Sequence, residues 1–251
     1  MTMPKLSREP GIDLAYEYLP GAGPVVVFCP GFASDMAGTK ALALAEICRH
    51  DRQAMLRFDY SGHGQSGGKF IEGSIGAWAE DAAFIIEQVV PEQEVILVGS
   101  SMGGWIALLL ALRLQDRLRG LLLIAPAPDF TETLIREELT PAQLDTLRRE
   151  GVLHRPSEYG EPLPLTWHLL EEGRAHLLLH APLPIAGPVR ILHGMQDADV
   201  PWRLSLTLAE RLETPDVRLT FVKDGDHRLS RPQDLALLIA ALRALIAQNG
   251  G

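Results

Sequence analysis

The chain has 251 residues, 47% hydrophobic and 22% charged, proportions that suit one soluble globular domain with a sizeable core. With a formal net charge of −9 and a pI of about 5.4, it carries no basic footprint for nucleic acid. No uncharged apolar run approaches the roughly 20 residues of a membrane span, and its two cysteines, Cys29 and Cys48, build no disulfide framework.

The opening stretch, MTMPKLSREPG, has neither the apolar core of a signal peptide nor the Arg/Ser richness of a transit peptide, so a cytoplasmic, reducing location is expected. PVVVFCPG (24–31) predicts a strand ending in a turn, and KALALAEICRH (40–50) a helix. AMLRFDYSGHG (54–64) reads as a strand running into a Gly-rich loop. IGAWAEDAAFIIEQVV (75–90) has helical spacing and is stopped by Pro91. EVILVG (94–99) predicts a strand, followed at once by a helix from Gly103 to about Gln115. Further strands are expected over 118–127, 188–194 and 216–225, and helices over 201–212 and 232–248. Near-continuous apolar strands interleaved with helices predict an α/β fold, a mostly parallel sheet covered on both faces. From about 130 to 187 no strand is evident, but three helical pieces are, near 131–138, 140–150 and 166–178. That span is too long for a loop, so the expectation is a single domain over 1–251 with a helical cap insertion at about 130–187.

Two serines sit in a Gly-x-Ser-x-Gly frame, Ser66 in GHGQSGG and Ser101 in VGSSMGG. A nucleophile elbow needs a strand, a sharp turn and a helix in that order, with small residues two positions either side to relieve crowding. Ser101 meets each condition, between EVILV and GWIALLLAL. Ser66 does not, because five loop residues separate it from its strand and no helix follows. Ser101 is therefore the candidate nucleophile, and Ser66 reads as a loop residue.

A histidine and an acid should follow at strand ends, beyond the carboxyl edge of the sheet. FVKDGDHRLS supplies His227, and ILHGMQDADVPW supplies Asp197 and Asp199. Asp197 emerges first from its strand and is the favoured acid; Asp199 reads as a helix N-terminal residue, and Asp129 is an outside candidate. His63 and His193 read as hydrogen-bonded scaffold, His50 and His154 as surface. His168, His176 and His180 fall in the cap without an acidic or Cys partner set, so neither a metal nor a cofactor is expected. Backbone N–H groups at Phe32 and Met102 are the expected oxyanion donors. Trp105, Trp202, Trp167, Phe32, Leu134 and Leu170 are candidates for an apolar acyl channel.

Together these residues resemble the α/β-hydrolase superfamily, and more specifically the abhydrolase domain-containing protein 10 group. The resemblance is carried by PGFASDMAGTKALALAEIC, RFDYSGHGQSGG, VGSSMGGW, HAPLPI, ILHGMQDADVPW and DHRLS, and it extends over nearly the whole chain. It implies an α/β-hydrolase fold, a Ser101–Asp197–His227 triad, and palmitoyl-protein thioesterase or acyl-glucuronide esterase chemistry. Two features depart from the pattern: Cys29-Pro30-Gly31 stands where many members have His-Gly, and the relatives' mitochondrial leader is not evident. The expected function is a serine hydrolase of carboxylic thioesters or esters, working on a small-molecule or acylated-protein substrate as a monomer or homodimer. The same scaffold supports carbon–carbon hydrolysis, cofactor-free haloperoxidation or non-catalytic ligand binding, and these alternatives stay open at this level.

Overall fold

A computed structural model describes residues 3–9, 11–157 and 160–249. An eight-stranded sheet runs through it, built from β1 (Lys5–Glu9), β2 (Ile12–Leu19), β3 (Ala22–Cys29), β4 (Gln53–Phe58), β5 (Val95–Ser100), β6 (Leu118–Ile124), β9 (Val189–Gly194) and β10 (Val217–Val222). Their spatial order is β1-β2-β4-β3-β5-β6-β9-β10; β1 and β2 pair antiparallel, β2 meets β4 antiparallel, and every pairing from β4 to β10 is parallel.

Parallel strands need crossovers, and the helical stretches provide them. These are α1 (Thr39–Asp51), α2 (Ile75–Val89), α3 (Met102–Arg113), α6 (Arg203–Arg211) and α7 (Pro232–Gln248). The strands carry apolar residues in unbroken runs because both faces of the sheet are covered. Along β3, Val25, Val27 and Cys29 join the packing against α2 and α3, whereas Val26 and Phe28 join that against α1 and α7. β5 divides the same way, Val95 and Leu97 to one side, Ile96 and Val98 to the other, and all four are inaccessible. Each such side chain contributes about 1.5–3 kcal/mol on burial, which makes the centre of the sheet a rigid platform.

Between β6 and β9 the chain forms a π-helical turn (Thr131–Arg136), α4 (Pro141–Glu150), a hairpin of β7 (Val152–Ser157) and β8 (Gly160–Thr166), and α5 (Trp167–Gly173). The helical pieces fall where the sequence suggests, but the hairpin corrects the expectation of a strand-free segment. β8 reads GEPLPLT, and its prolines and leucines give no run of β-branched residues to announce a strand. The antiparallel β1–β2 ribbon is likewise absent from the sequence reading. No helix among the described residues is long and apolar enough to cross a membrane.

Candidate active site

β5 ends at Ser100 and α3 starts at Met102, so the chain reverses from strand to helix across Ser101 alone. Ser101 takes φ 55° and ψ −121°, a backbone state that L-residues rarely adopt. Its N–H donates to the Ile124 carbonyl at 2.9 Å, and its own carbonyl accepts from Gly104 and Ala127 at 2.8 and 3.1 Å. The strain is thus held in place from β6 and α3. The glycines around it have a steric cause: a Cβ on Gly99 would lie 2.3 Å from the Gly103 carbonyl oxygen, and one on Gly103 would lie 2.0 Å from that of Cys29. Any side chain at either position would push α3 off the sheet.

His227 follows β10 and Asp197 follows β9, and the two loops converge on Ser101. His227 Nε2 lies 3.0 Å from Ser101 Oγ, and His227 Nδ1 lies 2.7 Å from Asp197 Oδ2. Because Nδ1 faces a carboxylate it carries the proton, which leaves Nε2 as the acceptor for the Ser101 hydroxyl. The Asp197 side chain is wholly inaccessible, whereas His227 keeps 18% of its surface exposed. Burial pushes the Asp197 carboxyl up, but hydrogen bonds from His193, His227 and the Val200 N–H outweigh it and hold the group well below the usual carboxylate range. Asp197 Oδ1 also accepts from the Asp199 and Val200 N–H groups at 2.9 and 2.8 Å.

His193, at the end of β9, has a part in this arrangement that its sequence position does not announce. Its Nε2 faces two acceptors, Asp197 Oδ2 at 3.1 Å and the Val200 carbonyl at 3.0 Å, so this nitrogen holds the proton. Its Nδ1 then accepts from the Ser205 hydroxyl at 2.7 Å. Ser205 and His193 are both fully buried, so Asp197 is oriented from beneath by α6 as well as by its own loop.

The turn after β3 carries Phe32. Its ring sits edge-on to Phe70, Trp78 and Phe130 at 4.9, 5.9 and 6.0 Å, which fixes the backbone of the turn next to Ser101. Asp59, at the end of β4, holds the same loop by accepting the Met36 N–H at 2.7 Å. Met102, as the first residue of α3, has an N–H with no partner inside its own helix.

Two cavities meet at Ser101, His227 and Phe32. The first, about 370 Å³, is walled by Phe130, Leu134, Ile135, Leu163 and Leu165, with the Glu138–Arg155 ion pair also on its lining. The second, about 360 Å³, is bounded by polar residues of the β3–α1 loop and by the chain after His227. Phe32 and Leu134 of the expected channel residues line the first cavity; the three tryptophans and Leu170 line neither. Trp105 is fully buried with Nε1 donating to the His176 carbonyl at 3.0 Å. Trp202 packs edge-on against Phe221 and under Arg203, and Trp167 lies beneath Arg136 and Arg148. Ring size marks a residue for burial, but the side of the helix it occupies is decided by tertiary packing.

The remaining candidates have structural partners. Ser66 Oγ donates to the Asp59 carbonyl at 2.7 Å and accepts the Ala15 N–H at 2.9 Å, pinning its loop to β2. Asp129 accepts the Leu178 and Leu179 N–H groups, each at 2.8 Å, and so ties the return of the β6–β9 segment to its start. Asp199 does not cap a helix, since α6 begins at Arg203 with Trp202 in the cap position. One oxygen or nitrogen from each of Asp197, Asp199 and His227 lies within 4.8 Å of the others, but a cation there would compete with the His227–Asp197 bond. His176 and His180 do not share a helix, because the helical turn closes at His176. His63 is enclosed by the edges of Tyr60, Phe70 and Trp78, and burial pushes its pKa down.

The family model Hydrolase_4, described as serine aminopeptidase, S33, matches residues 22–153. The mitochondrial palmitoyl-protein thioesterase ABHD10 of Mus musculus is 39% identical over 243 residues, covering 96% of this chain and 81% of that protein. The crystal structure of an Agrobacterium vitis S4 protein superposes with a TM-score of 0.92 at 42% identity, covering 98% of each chain. The structure of mouse α/β-hydrolase domain-containing protein 10 gives 0.89 at 37% identity, covering 99% of each.

Proposed function

Because this chain belongs to the α/β-hydrolase family that the Hydrolase_4 model describes, we propose that it is a serine hydrolase of carboxylic thioesters and esters, with Ser101, His227 and Asp197 as its catalytic triad. The observation that carries the reading is the unbroken path from Ser101 Oγ through both nitrogens of His227 to Asp197 Oδ2, at 3.0 and 2.7 Å, at the floor of an apolar cavity.

Ser101 Oγ attacks the acyl carbonyl while His227 Nε2 takes its proton, and the buried Asp197 carboxylate stabilises the resulting imidazolium. The N–H groups of Phe32 and Met102 hold the oxyanion, a contribution worth about 3–4 kcal/mol per donor in comparable sites. Collapse of the tetrahedral species breaks the carbonyl–sulfur or carbonyl–oxygen bond, and His227 returns its proton to the departing thiol or alcohol. A water molecule, deprotonated by His227, then attacks the acyl-enzyme; the acyl–Oγ bond breaks, His227 returns the proton to Ser101 Oγ, and the free acid is released. These steps balance without a metal or cofactor.

We assign the acyl group to the cavity walled by Phe130, Leu134, Ile135, Leu163 and Leu165, under the 130–187 segment acting as a cap on a single domain. A space of this size with an apolar wall suits a fatty acyl chain, and the relatives are named for palmitoyl-protein substrates. The buried, unpaired Cys29 and Cys48 suit a reducing compartment such as the cytoplasm, although those relatives are named mitochondrial.

The test is turnover of a chain-length series of acyl thioesters and matched oxygen esters, each beside Ser101→Ala. Ser101-dependent turnover that peaks on long-chain thioesters supports deacylation; turnover that persists in Ser101→Ala overturns the assignment.

A further inference from the structure

An ester bound at Ser101 has two halves, and two cavities meet there. If the apolar cavity takes the acyl half, the other half faces the second cavity, whose wall has a different chemistry. It includes Ser34, Asp35, Thr39, Lys40, Arg228 and Ser230, with Ser101 and His227 at the shared end.

Lys40 lies in the first turn of α1, in the Gly-Thr-Lys run that follows the Phe32 turn. Its Nζ donates to the Arg228 carbonyl at 2.6 Å, so the ammonium is anchored to the residue directly after His227. An ammonium has three donors, and this carbonyl occupies one. Asp35, the acidic residue on the same wall, already accepts the Ala37 N–H at 2.9 Å across its own turn. A half-buried cation on the wall of the cavity that opens on Ser101 and His227, hydrogen-bonded to a neutral carbonyl with the Asp226 carboxylate close enough to act on it, is a receptor for negative charge.

Resting on the ester and thioester reading above, we infer that the second cavity is the leaving-group site and that Lys40 is a specificity residue selecting leaving groups that carry an oxyanion, a carboxylate or a phosphate. The burial that shapes this wall also lowers the Lys40 pKa to about 8, against the opposing pull of Asp226, so the group is charged at neutral pH and gains from an anionic partner.

The experiment holds the acyl group constant, as octanoyl, and varies the thiol: N-acetylcysteamine is neutral, glutathione brings carboxylates, and coenzyme A brings phosphates. Each is assayed with the wild type, Lys40→Met and Lys40→Arg. For Lys40→Met, the ratio of kcat/KM on an anionic thioester to that on the neutral one should fall by about tenfold, mostly through KM, as expected for loss of one charge-assisted hydrogen bond. Lys40→Arg should restore much of that ratio, and whichever anionic thiol shows the larger effect identifies carboxylate or phosphate as the preferred group. If Lys40→Met lowers all three substrates by the same factor, Lys40 only braces the His227 loop and the inference fails. If the ratio stays unchanged, it fails as well. Absence of Ser101-dependent turnover of the neutral thioester by the wild type would instead remove the underlying function.

Discussion

His193 Nε2 and His227 Nδ1 bond the same atom, Oδ2 of Asp197, at 3.1 and 2.7 Å. One imidazole belongs to the proposed triad and the other sits in the core, so the carboxylate is oriented from two sides. Replacing His193 by Phe fills similar space but removes its hydrogen bonds to Asp197, Val200 and Ser205. Freed by up to an ångström, Asp197 should hold His227 less well, lowering kcat by about 10–100-fold with little change in KM. Steady-state kinetics on a soluble ester decide this, and an unchanged kcat would reduce His193 to packing.

The two Gly-x-Ser-x-Gly serines should separate cleanly. Ser101→Ala removes the proposed nucleophile and should cut kcat by about 10⁶. Ser66→Ala strands the Ala15 N–H and the Asp59 carbonyl, so it should cost about 1–3 kcal/mol of stability and leave kcat nearly intact. Paired denaturation and activity measurements check both outcomes. Retained turnover in Ser101→Ala would reverse the assignment.

The aspartates of the Asp-Ala-Asp run should rank in the same decisive way. Asp197→Asn presents the wrong hydrogen-bonding group to His227 Nδ1 and should lower kcat by about 10⁴. Asp199 is exposed, and Asp199→Asn should stay within about threefold of the wild type. The reverse ranking would move the acid to Asp199.

Asp197 also predicts an acid limb of stability. Its folded-state pKa lies below the unfolded value of about 3.9, so its contribution is complete above that pH and declines as pH falls through and below it. Melting temperatures from pH 5 down to pH 2 should fall more steeply for the wild type than for Asp197→Asn. Parallel slopes would show that the carboxylate gains nothing on folding.

Glycine substitutions test the elbow itself. Gly103→Ala places a Cβ against the Cys29 backbone at 2.0 Å, and nothing flexible can move aside, so a loss of at least about 3 kcal/mol or failure to fold is expected. Gly151→Ala, at φ 80° with open space around it, should cost only about 1–2 kcal/mol. Equal effects would mean that close approach at the elbow is unimportant.

Much of the candidate site is legible in the sequence because the proposed chemistry needs patterns that survive in one dimension. The glycines flanking Ser101 record the near-contact of α3 with β3, and the histidine and acid emerge directly from strand ends. The central strands were legible for a related reason: two covered faces leave no polar alternation. What escaped notice depends on partners far along the chain. β1 is half-exposed along its length and acquires its identity from pairing with β2. The β7–β8 hairpin has a Pro-rich sequence that resembles a loop. His193 is the hydrogen-bonded scaffold residue its strand-end position suggests, but its partners Asp197, Val200 and Ser205 lie on the following loop and helix and cannot be read from the sequence. Trp105, Trp167 and Trp202 line neither cavity, because an aromatic ring in the sequence marks a residue that packs without saying which neighbour covers it.

The segment between β6 and β9 leaves and returns on adjacent strands, with Ile124 opposite Leu192 and Asp129 bonded to Leu178 and Leu179. Its two ends are therefore fixed a few ångströms apart, whatever lies between them. Because loop-closure entropy grows only slowly with length, this stretch can be lengthened, shortened or exchanged at little cost to the sheet. If the proposed acyl cavity lies under this segment, exchanging the segment should alter acyl selectivity while leaving the sheet and the Ser101–His227–Asp197 geometry in place.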